Sequence, residues 1–210
     1  MTPCSAGPMT LQRQLDALHQ ACCDCRRCSL AAERQQVVVS RGNPSARLLL
    51  IGEAPGADED ARGLPFVGRS GQLLDRLLVE AGLDPRDDLY LCNAIKCRPP
   101  ANRRPRPSEL AACRPWLAQQ IRLVDPALVL LVGGTALEAV LAIKGGITAL
   151  RGRWLGADQG PMAAALRGRR LMPLLHPSYL LRFAAETEGS PRALTRADLQ
   201  EVRRQLSALV

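Results

Sequence analysis

The stretch "LLLIGEAPGADED", residues 48–60, decides the fold that this sequence predicts. Its first half continues an apolar run that starts after Arg47, which is typical of a strand covered on both faces. Glu53 follows that strand directly, although the chain as a whole is strongly basic. The carboxyl end of a buried strand is a common place for a ligand site, so Glu53 becomes the first candidate functional residue.

Strands and helices alternate on either side of this stretch. Further strands are predicted in the apolar segments 88–95, 126–134, 149–155 and 168–175. Helical spacing is found over 9–34, 72–83, 108–124, 135–143 and 195–209. The Gly-rich segment 56–71 and the Pro/Arg-rich segment 96–107 are predicted loops. The alternation predicts an α/β fold of three layers, with a central, mostly parallel four-stranded sheet between helices.

Two local features predict where the helices bend or begin. Pro115 lies inside segment 108–124, where it is expected to force a break or a kink. Thr135 and Glu138 have the spacing of a capping box, which predicts that the next helix begins at Thr135.

The chain has 210 residues, which is enough for one full-sized domain. We therefore predict a single domain over residues 1–210, with residues 1–21 as an N-terminal extension and the start of the first helix. No apolar run approaches the ~20 residues of a membrane span, and the first twenty residues lack the apolar core of a signal peptide. We expect a cytoplasmic protein without a membrane partner.

The chain carries an excess of basic residues. Lys and Arg number 28 and Asp and Glu 20, which gives a net charge of +8. Basic proteins often bind polyanions, because Lys and Arg neutralise phosphates and release counterions. An Arg-rich composition also follows from a GC-rich genome. The charge alone therefore favours a nucleic-acid partner only slightly over the absence of one.

Eight cysteines in a cytoplasmic chain favour metal ligands or buried thiols over disulfides. "CCDCRRCSL" offers two overlapping C-x-x-C pairs, Cys22/Cys25 and Cys25/Cys28, and two further cysteines, Cys97 and Cys113, lie far downstream. Two close and two distant thiolates can complete a four-ligand site, and composition leaves zinc and an iron–sulfur cluster both open. Cys92 is interpreted as a packed thiol and Cys4 as a terminal thiol without a role.

Polar residues follow several of the predicted strands. Glu53, Asn93 and His176 each stand at or just after the end of one, where parallel sheets bind their ligands. A lone histidine is more often structural, so His176 by itself decides nothing. "VGGTAL" (132–137) is not interpreted as a dinucleotide loop, because the chain lacks G-x-G-x-x-G.

Four stretches together resemble one family. "GEAPGADED", "GLPFVGRSGQLL", "NAIKCRPPANRRP" and "HPSYLLR" are similar, in order and spacing, to the motifs of family 4 uracil-DNA glycosylases, the iron–sulfur branch of that superfamily. The resemblance covers about residues 22–208 of the chain. It implies a monofunctional enzyme of base excision repair that hydrolyses the N-glycosidic bond of deoxyuridine in single- or double-stranded DNA, as a monomer associated with a prokaryotic nucleoid.

The resemblance also implies roles for individual residues. Its [4Fe-4S] cluster would be held by Cys25, Cys28, Cys97 and Cys113, the first pair being chosen because "CRRCSL" fits the family pattern better than the pair Cys22/Cys25. The uracil site would consist of Glu53, Ala54, Phe66, Asn93 and His176. Catalysis would depend on Glu53, Asn102 and His176.

Departures from the family pattern are few. Leu64 stands where a basic residue is common, and Cys92 stands where Thr is usual. A sister branch that traps DNA covalently carries "GEQPG" and a histidine in the basic loop, and this chain has neither, so turnover is expected. Glu59 and Asp60 are equally compatible with a solvated acidic loop and with a catalytic role. A non-catalytic DNA-binding module and an iron–sulfur electron carrier are the alternative functions.

Overall fold

A computed structural model describes residues 9–183 and 187–209. The central sheet has the order β1-β3-β2-β4-β5. Its strands are β1 (Arg41–Gly42), β2 (Leu48–Gly52), β3 (Leu89–Asn93), β4 (Leu128–Val132) and β5 (Arg170–Leu174). The last four are parallel, as predicted, and the two-residue β1 adds an antiparallel edge to β3. Cys4 lies outside the described residues.

Helices cover both faces of this sheet. Their bounds are α1 (Leu11–Cys23), α2 (Ala57–Arg62), α3 (Arg69–Glu80), α4 (Pro107–Val124), α5 (Gly134–Leu141), α6 (Ile147–Leu150), α7 (Ala163–Leu166), α8 (Pro177–Leu180) and α9 (Pro191–Ser207). Alternate residues of each of the four parallel strands enter two separate apolar clusters, one shared with α1, α4 and α5 and the other with α3, α8 and α9. The predicted three-layer α/β fold is therefore confirmed. In the described part of the chain, no helix has both the length and the apolar character needed to cross a membrane.

Several local predictions were wrong, each for an identifiable reason. Segment 149–155 is not a strand: it contains the end of α6 and a turn at Gly152, whose φ is +73°, and only Leu155 bridges to β5. The Gly-rich segment 56–71 contains the short helix α2. The Pro/Arg-rich segment contains one 3₁₀ turn, Pro100–Asn102.

The helices α4 and α5 also differ from expectation. Pro115 does not end α4, which runs unbroken from Pro107 to Val124. The expected capping box of α5 does not form: the helix begins one residue earlier, at Gly134, without a side-chain cap, and Thr135 is buried. Glu138 instead pairs with Arg104 of the Pro/Arg-rich loop. The carboxylate that the sequence pattern assigned to the helix terminus thus faces the loop instead.

Asp60 ties α2 to the segment that leads into the sheet. Its side chain is buried, and Oδ1 accepts hydrogen bonds from the backbone N–H groups of Gln35, at 3.0 Å, and Gln36, at 3.3 Å. The two readings left open by the sequence are therefore both wrong for Asp60: this carboxylate is a buried structural acceptor.

We predict that Asp60→Ala lowers the free energy of unfolding by about 1–3 kcal/mol, because it leaves two backbone donors without their acceptor. Asp58→Ala, on the exposed face of the same helix, is the matched control and should cost less than about 1 kcal/mol. Urea titration followed by circular dichroism measures both values. Equal midpoints for the two variants would contradict the structural role of Asp60.

Candidate active site

One pocket of about 310 Å³, the strand-end pocket, opens at the carboxyl ends of the parallel strands. It is lined by all six residues predicted for the base site and its rim: Glu53, Ala54, Phe66, Asn93, Asn102 and His176. Glu53 follows β2, Asn93 ends β3, and His176 follows β5, so the sheet itself brings together residues that are far apart in sequence. The strand ends and the two loops thus bring these side chains to one pocket.

The absence of a side chain at Gly52 makes room for two residues that line this pocket, Asn93 and Phe66. Gly52 is the register partner of Asn93 across β2 and β3. A Cβ added at Gly52 would lie 2.4 Å from Asn93 Oδ1 and 2.5 Å from Phe66 Cζ. The amide and the aromatic ring therefore both pack directly over the glycine backbone. Any larger residue at position 52 would displace one of them.

Phe66 is held in an unusual backbone conformation. Its φ is +57°, and its carbonyl lies where a side chain at Gly71 would clash, 2.0 Å from an added Cβ. Arg41 braces the turn by donating from Nε to the Pro65 carbonyl at 2.8 Å, while its Nη2 pairs with Asp75 of α3. A left-handed, buried phenylalanine persists only where its surroundings fix it. Arg41 is a supporting residue that sequence reasoning missed.

His176 is oriented by its own helix cap. The backbone N–H of Ser178 donates to Nδ1 at 3.2 Å, and the Ser178 hydroxyl lies 2.7 Å from the same nitrogen. In the neutral ring this assignment leaves the proton on Nε2, as a donor for the pocket. Burial lowers the pKa of His176, and the nearby Glu53 carboxylate opposes that shift. The favoured form is a neutral imidazole with one outward donor.

The two acidic residues of the pocket have different surroundings. Glu53 is half-buried in the pocket wall. Both oxygens of Glu59 are occupied by backbone: Oε2 accepts from Gly56 N–H at 3.0 Å, and Oε1 accepts from the N–H groups of Val67 and Gly68 at 2.9 and 2.8 Å. Glu59 therefore joins α2 to the Phe66 turn and is neither a solvated residue nor a free carboxylate. The capping-box spacing from Gly56 was the overlooked signal.

The Pro/Arg-rich loop forms the rim of the pocket. Arg98 Nε donates to Asn102 Oδ1 at 2.7 Å, which leaves the Asn102 amide N–H₂ as a donor at the rim. Arg103 donates from both terminal nitrogens to the buried Glu109, at 2.9 and 2.6 Å, and this interaction lowers the pKa of Glu109. The loop is therefore anchored through its arginines, and part of its positive charge is already paired.

A second cavity, the cysteine cavity, borders the same loop at Cys97. It is lined by five cysteines: Cys22, Cys25, Cys28, Cys97 and Cys113. The seven described cysteines are all free thiols. Cys92 is fully buried and lies outside the lining, as predicted for a packed thiol. The four predicted ligands are therefore together, with Cys22 beside them.

N–H donors surround the sulfur atoms of the cysteine cavity. Trp116 Nε1 lies 3.2 Å from Cys25 Sγ, Arg34 Nη1 lies 3.4 Å from Cys97 Sγ, and the Lys96 backbone N–H lies 3.3 Å from Cys113 Sγ. Such donors stabilise thiolates and tune the metal centres that thiolates bind. Burial raises the pKa of Cys113 to about 12, so a metal must displace the thiol proton when it binds.

The charges around the cysteine cavity are of one sign. Arg27, Arg34 and Lys96 line it, whereas no Asp or Glu is among its described lining residues. Among the residues that the structure describes, no three Cys, His, Asp or Glu side chains are grouped as ligands of a single metal ion. The lining is therefore positive, which suits cysteines that bind a metal centre as thiolates.

Comparison with known proteins defines the class. The Uracil DNA glycosylase superfamily matches residues 39–203. The chain is 44% identical over 162 residues to a type-4 uracil-DNA glycosylase of Thermotoga maritima, covering 75% of this chain and 78% of that protein. A type-4 uracil-DNA glycosylase of Pyrobaculum aerophilum is 39% identical over 131 residues, 62% and 66% of the two chains. A type-5 uracil-DNA glycosylase of Thermus thermophilus is 45% identical over 115 residues, covering 48% of this chain and 52% of that protein. The chain belongs to the type-4 uracil-DNA glycosylase family of this superfamily.

We predict that His176 is neutral at pH 7, with its proton on Nε2, because Ser178 N–H donates to Nδ1 and burial lowers the pKa of His176. Nitrogen-15 chemical shifts of the imidazole measure both tautomer and titration. The chain has two histidines, so His19→Gln assigns the second set of signals. Glu53→Gln should lower the His176 pKa further, because the carboxylate raises it in the wild type. A doubly protonated His176 ring at neutral pH would contradict this assignment.

Proposed function

We propose that the protein hydrolyses the N-glycosidic bond of deoxyuridine in DNA, releasing uracil and leaving an abasic site for base excision repair. The observation that carries the proposal is the meeting of an aromatic ring, an amide, an imidazole donor and a carboxylate in one pocket of about 310 Å³. Such a pocket suits a flipped base, since a base inside the duplex is out of reach. Family membership supports the same reaction.

Phe66 and Asn93 supply base recognition. The Phe66 ring offers a surface on which a pyrimidine stacks, worth of order 1–3 kcal/mol. The Asn93 amide can both donate and accept, which matches the adjacent acceptor and donor on the uracil edge. Cytosine presents the reverse pattern at its exocyclic amine and would leave buried polar groups unpaired, which is costly. Packing over Gly52 holds the amide and the ring in fixed relation to each other.

Glu53 and His176 act on the two charges that develop as the bond breaks. The sugar becomes oxocarbenium-like and the base departs as an anion. Glu53, at the end of β2, favours the positive sugar or orients the attacking water. His176 donates from Nε2 to uracil O2 and needs no positive charge to do so. Asn102, at the rim, offers its amide donor to the nucleotide near the scissile bond. Ala54 contributes no polar atom, so Glu53 has no second carboxylate at that position.

The cysteine cavity is proposed to hold a [4Fe-4S] cluster through Cys25, Cys28, Cys97 and Cys113. The soft donor set, the N–H groups on three sulfurs and the cationic lining support this choice. When bound, the cluster supplies structural cross-linking and contributes no group to the hydrolysis. It joins the segment after α1 to the Pro/Arg-rich loop and so fixes the rim of the pocket. Cys22 is proposed to be a packed thiol behind the ligands.

The proposal extends to DNA contact, oligomeric state and location. The net charge of +8 and the arginines of the rim favour contact with DNA phosphates. We propose a monomer that acts in the cytoplasm at the nucleoid of a prokaryote. A DNA-binding module without catalysis would need no closed pocket with a buried amide. An electron carrier would have no use for Phe66 and Asn93 beside its cluster.

Excision is tested with a uracil-containing oligonucleotide, followed by alkaline cleavage of abasic sites. Glu53→Gln and His176→Ala should each lower the single-turnover rate by at least about tenfold, as the loss of one preorganised electrostatic contact typically does. Affinity for DNA with a non-cleavable uridine analogue should change much less, because both charges arise only in the transition state.

Glu80→Gln and His19→Ala are the matched controls, since both side chains are exposed. They should cleave at the wild-type rate. The proposed mechanism would be contradicted if Glu53→Gln and His176→Ala cleaved at the wild-type rate and only bound DNA more weakly. The proposed function would be contradicted if the wild-type protein were inactive.

The cluster is tested with a pair of cysteine variants. Protein purified anaerobically should be brown and contain iron and acid-labile sulfide in the stoichiometry of a [4Fe-4S] cluster. Cys28→Ala should lose the iron, because it removes a ligand, whereas Cys22→Ala should keep it. Iron retained in Cys28→Ala and lost in Cys22→Ala would reassign the first ligand pair. Stoichiometric zinc without iron would overturn the cluster.

A further inference from the structure

Lys96 is an unusual residue for this chain. The sequence contains only two lysines, Lys96 and Lys144, among 28 Lys and Arg residues. Lys144 is exposed, whereas Lys96 is 1% exposed. A composition that uses Arg almost everywhere therefore places Lys at its deeply buried basic position. The compact ammonium fits where a planar guanidinium requires more room and more acceptors.

The contacts of Lys96 point in two directions. Its Nζ donates to the backbone carbonyl of Asn93 at 2.6 Å, and its backbone N–H donates to Cys113 Sγ at 3.3 Å. Lys96 also lines the cysteine cavity, where its charge acts on Cys22 and Cys113. One residue thus touches both the cysteine cavity and the residue whose amide faces the strand-end pocket.

No carboxylate balances this charge in the described structure. None of the ion pairs found among residues 9–183 and 187–209 includes Lys96. A buried ammonium without an anionic partner is expensive, and hydrogen bonds to the Asn93 carbonyl and the Cys92 thiol do not compensate for it. Protonated thiols are neutral and do not compensate either. The burial of Lys96 therefore calls for an anion beside it, and the thiolates of a bound cluster are in place to be that anion.

We propose that Lys96 is the buried counter-ion of the cluster and the positioning residue that couples the cluster to base recognition by Asn93. The inference rests on the proposed cluster. The Lys96 ammonium would offset the negative charge of a cluster held by the cavity cysteines, and it donates to the Asn93 backbone carbonyl, so it would stabilise the loaded cavity and at the same time fix the end of β3. Asn93 is then held from two sides, by Lys96 at its backbone carbonyl and by Gly52 at its side-chain amide.

The role predicts a defined set of effects for Lys96→Met, which keeps an unbranched side chain and removes the charge and the donor. Visible absorbance should be lost to an iron chelator about 10–100-fold faster than in the wild type, the usual range for losing a partner of a metal ligand. The reduction potential of the cluster, measured by protein-film voltammetry, should shift to a more negative value, because a nearby cation favours the more reduced form. Single-turnover excision of uracil per bound iron should also fall.

Two further variants complete the experiment. Lys144→Met is the matched control and should leave chelation rate, potential and excision unchanged. Lys96→Gln retains an N–H donor without the charge, so it should show the faster chelation and the shifted potential; it also provides the readout if Lys96→Met does not fold. A wild-type potential and chelation rate in both Lys96 variants would overturn the inference. Wild-type protein without iron would instead overturn the proposed cluster, so the two failures are distinguishable.

Discussion

The strand-end pocket depends on the close approach at Gly52. Parallel pairing sets Gly52 beside Asn93, and the missing side chain lets the Asn93 amide and the Phe66 ring occupy the same small space. Register fixes this contact, because a one-residue slip would send Asn93 to the opposite face of the sheet. Glu59 and Arg41 then hold the Phe66 turn from outside. The geometry for holding a flat ring is thus a property of two paired strands and one braced turn.

The five residues from Asn93 to Cys97 connect the strand-end pocket and the cysteine cavity. Asn93 belongs to the strand-end pocket and Cys97 to the cysteine cavity, with Lys96 fully buried between them. The Pro/Arg-rich loop that follows is too rich in proline to hold itself by regular hydrogen bonding. It is anchored instead at Glu109 and Glu138 and at the cysteines. Shape at the pocket rim therefore depends on interactions outside the pocket.

Much of this architecture could be predicted from the sequence, because buried parallel strands are unbroken apolar runs and their ends are where functional residues stand. The motif resemblance selected Phe66 and Asn93, which periodicity alone could not. Some wrong or missing predictions concerned side chains with several possible partners. Glu138 could cap α5 or pair with Arg104, and only the folded chain brings Arg104 near it. Asp60 likewise stands in an acidic sequence that suggests exposure to solvent. Its Oδ1 instead accepts hydrogen bonds from backbone N–H groups 24 and 25 residues earlier in the chain.

The indole of Trp116 has an optical consequence. It stands in the wall of the cysteine cavity, with Nε1 on Cys25 Sγ and the Arg27 guanidinium 4.6 Å over its ring. The second tryptophan, Trp154, packs with the opposite layer of the fold. Iron–sulfur chromophores absorb in the range where tryptophan emits, so energy transfer would quench Trp116 far more than Trp154. The protein therefore carries a fluorophore of its own that reports, without any label, on what fills the cysteine cavity.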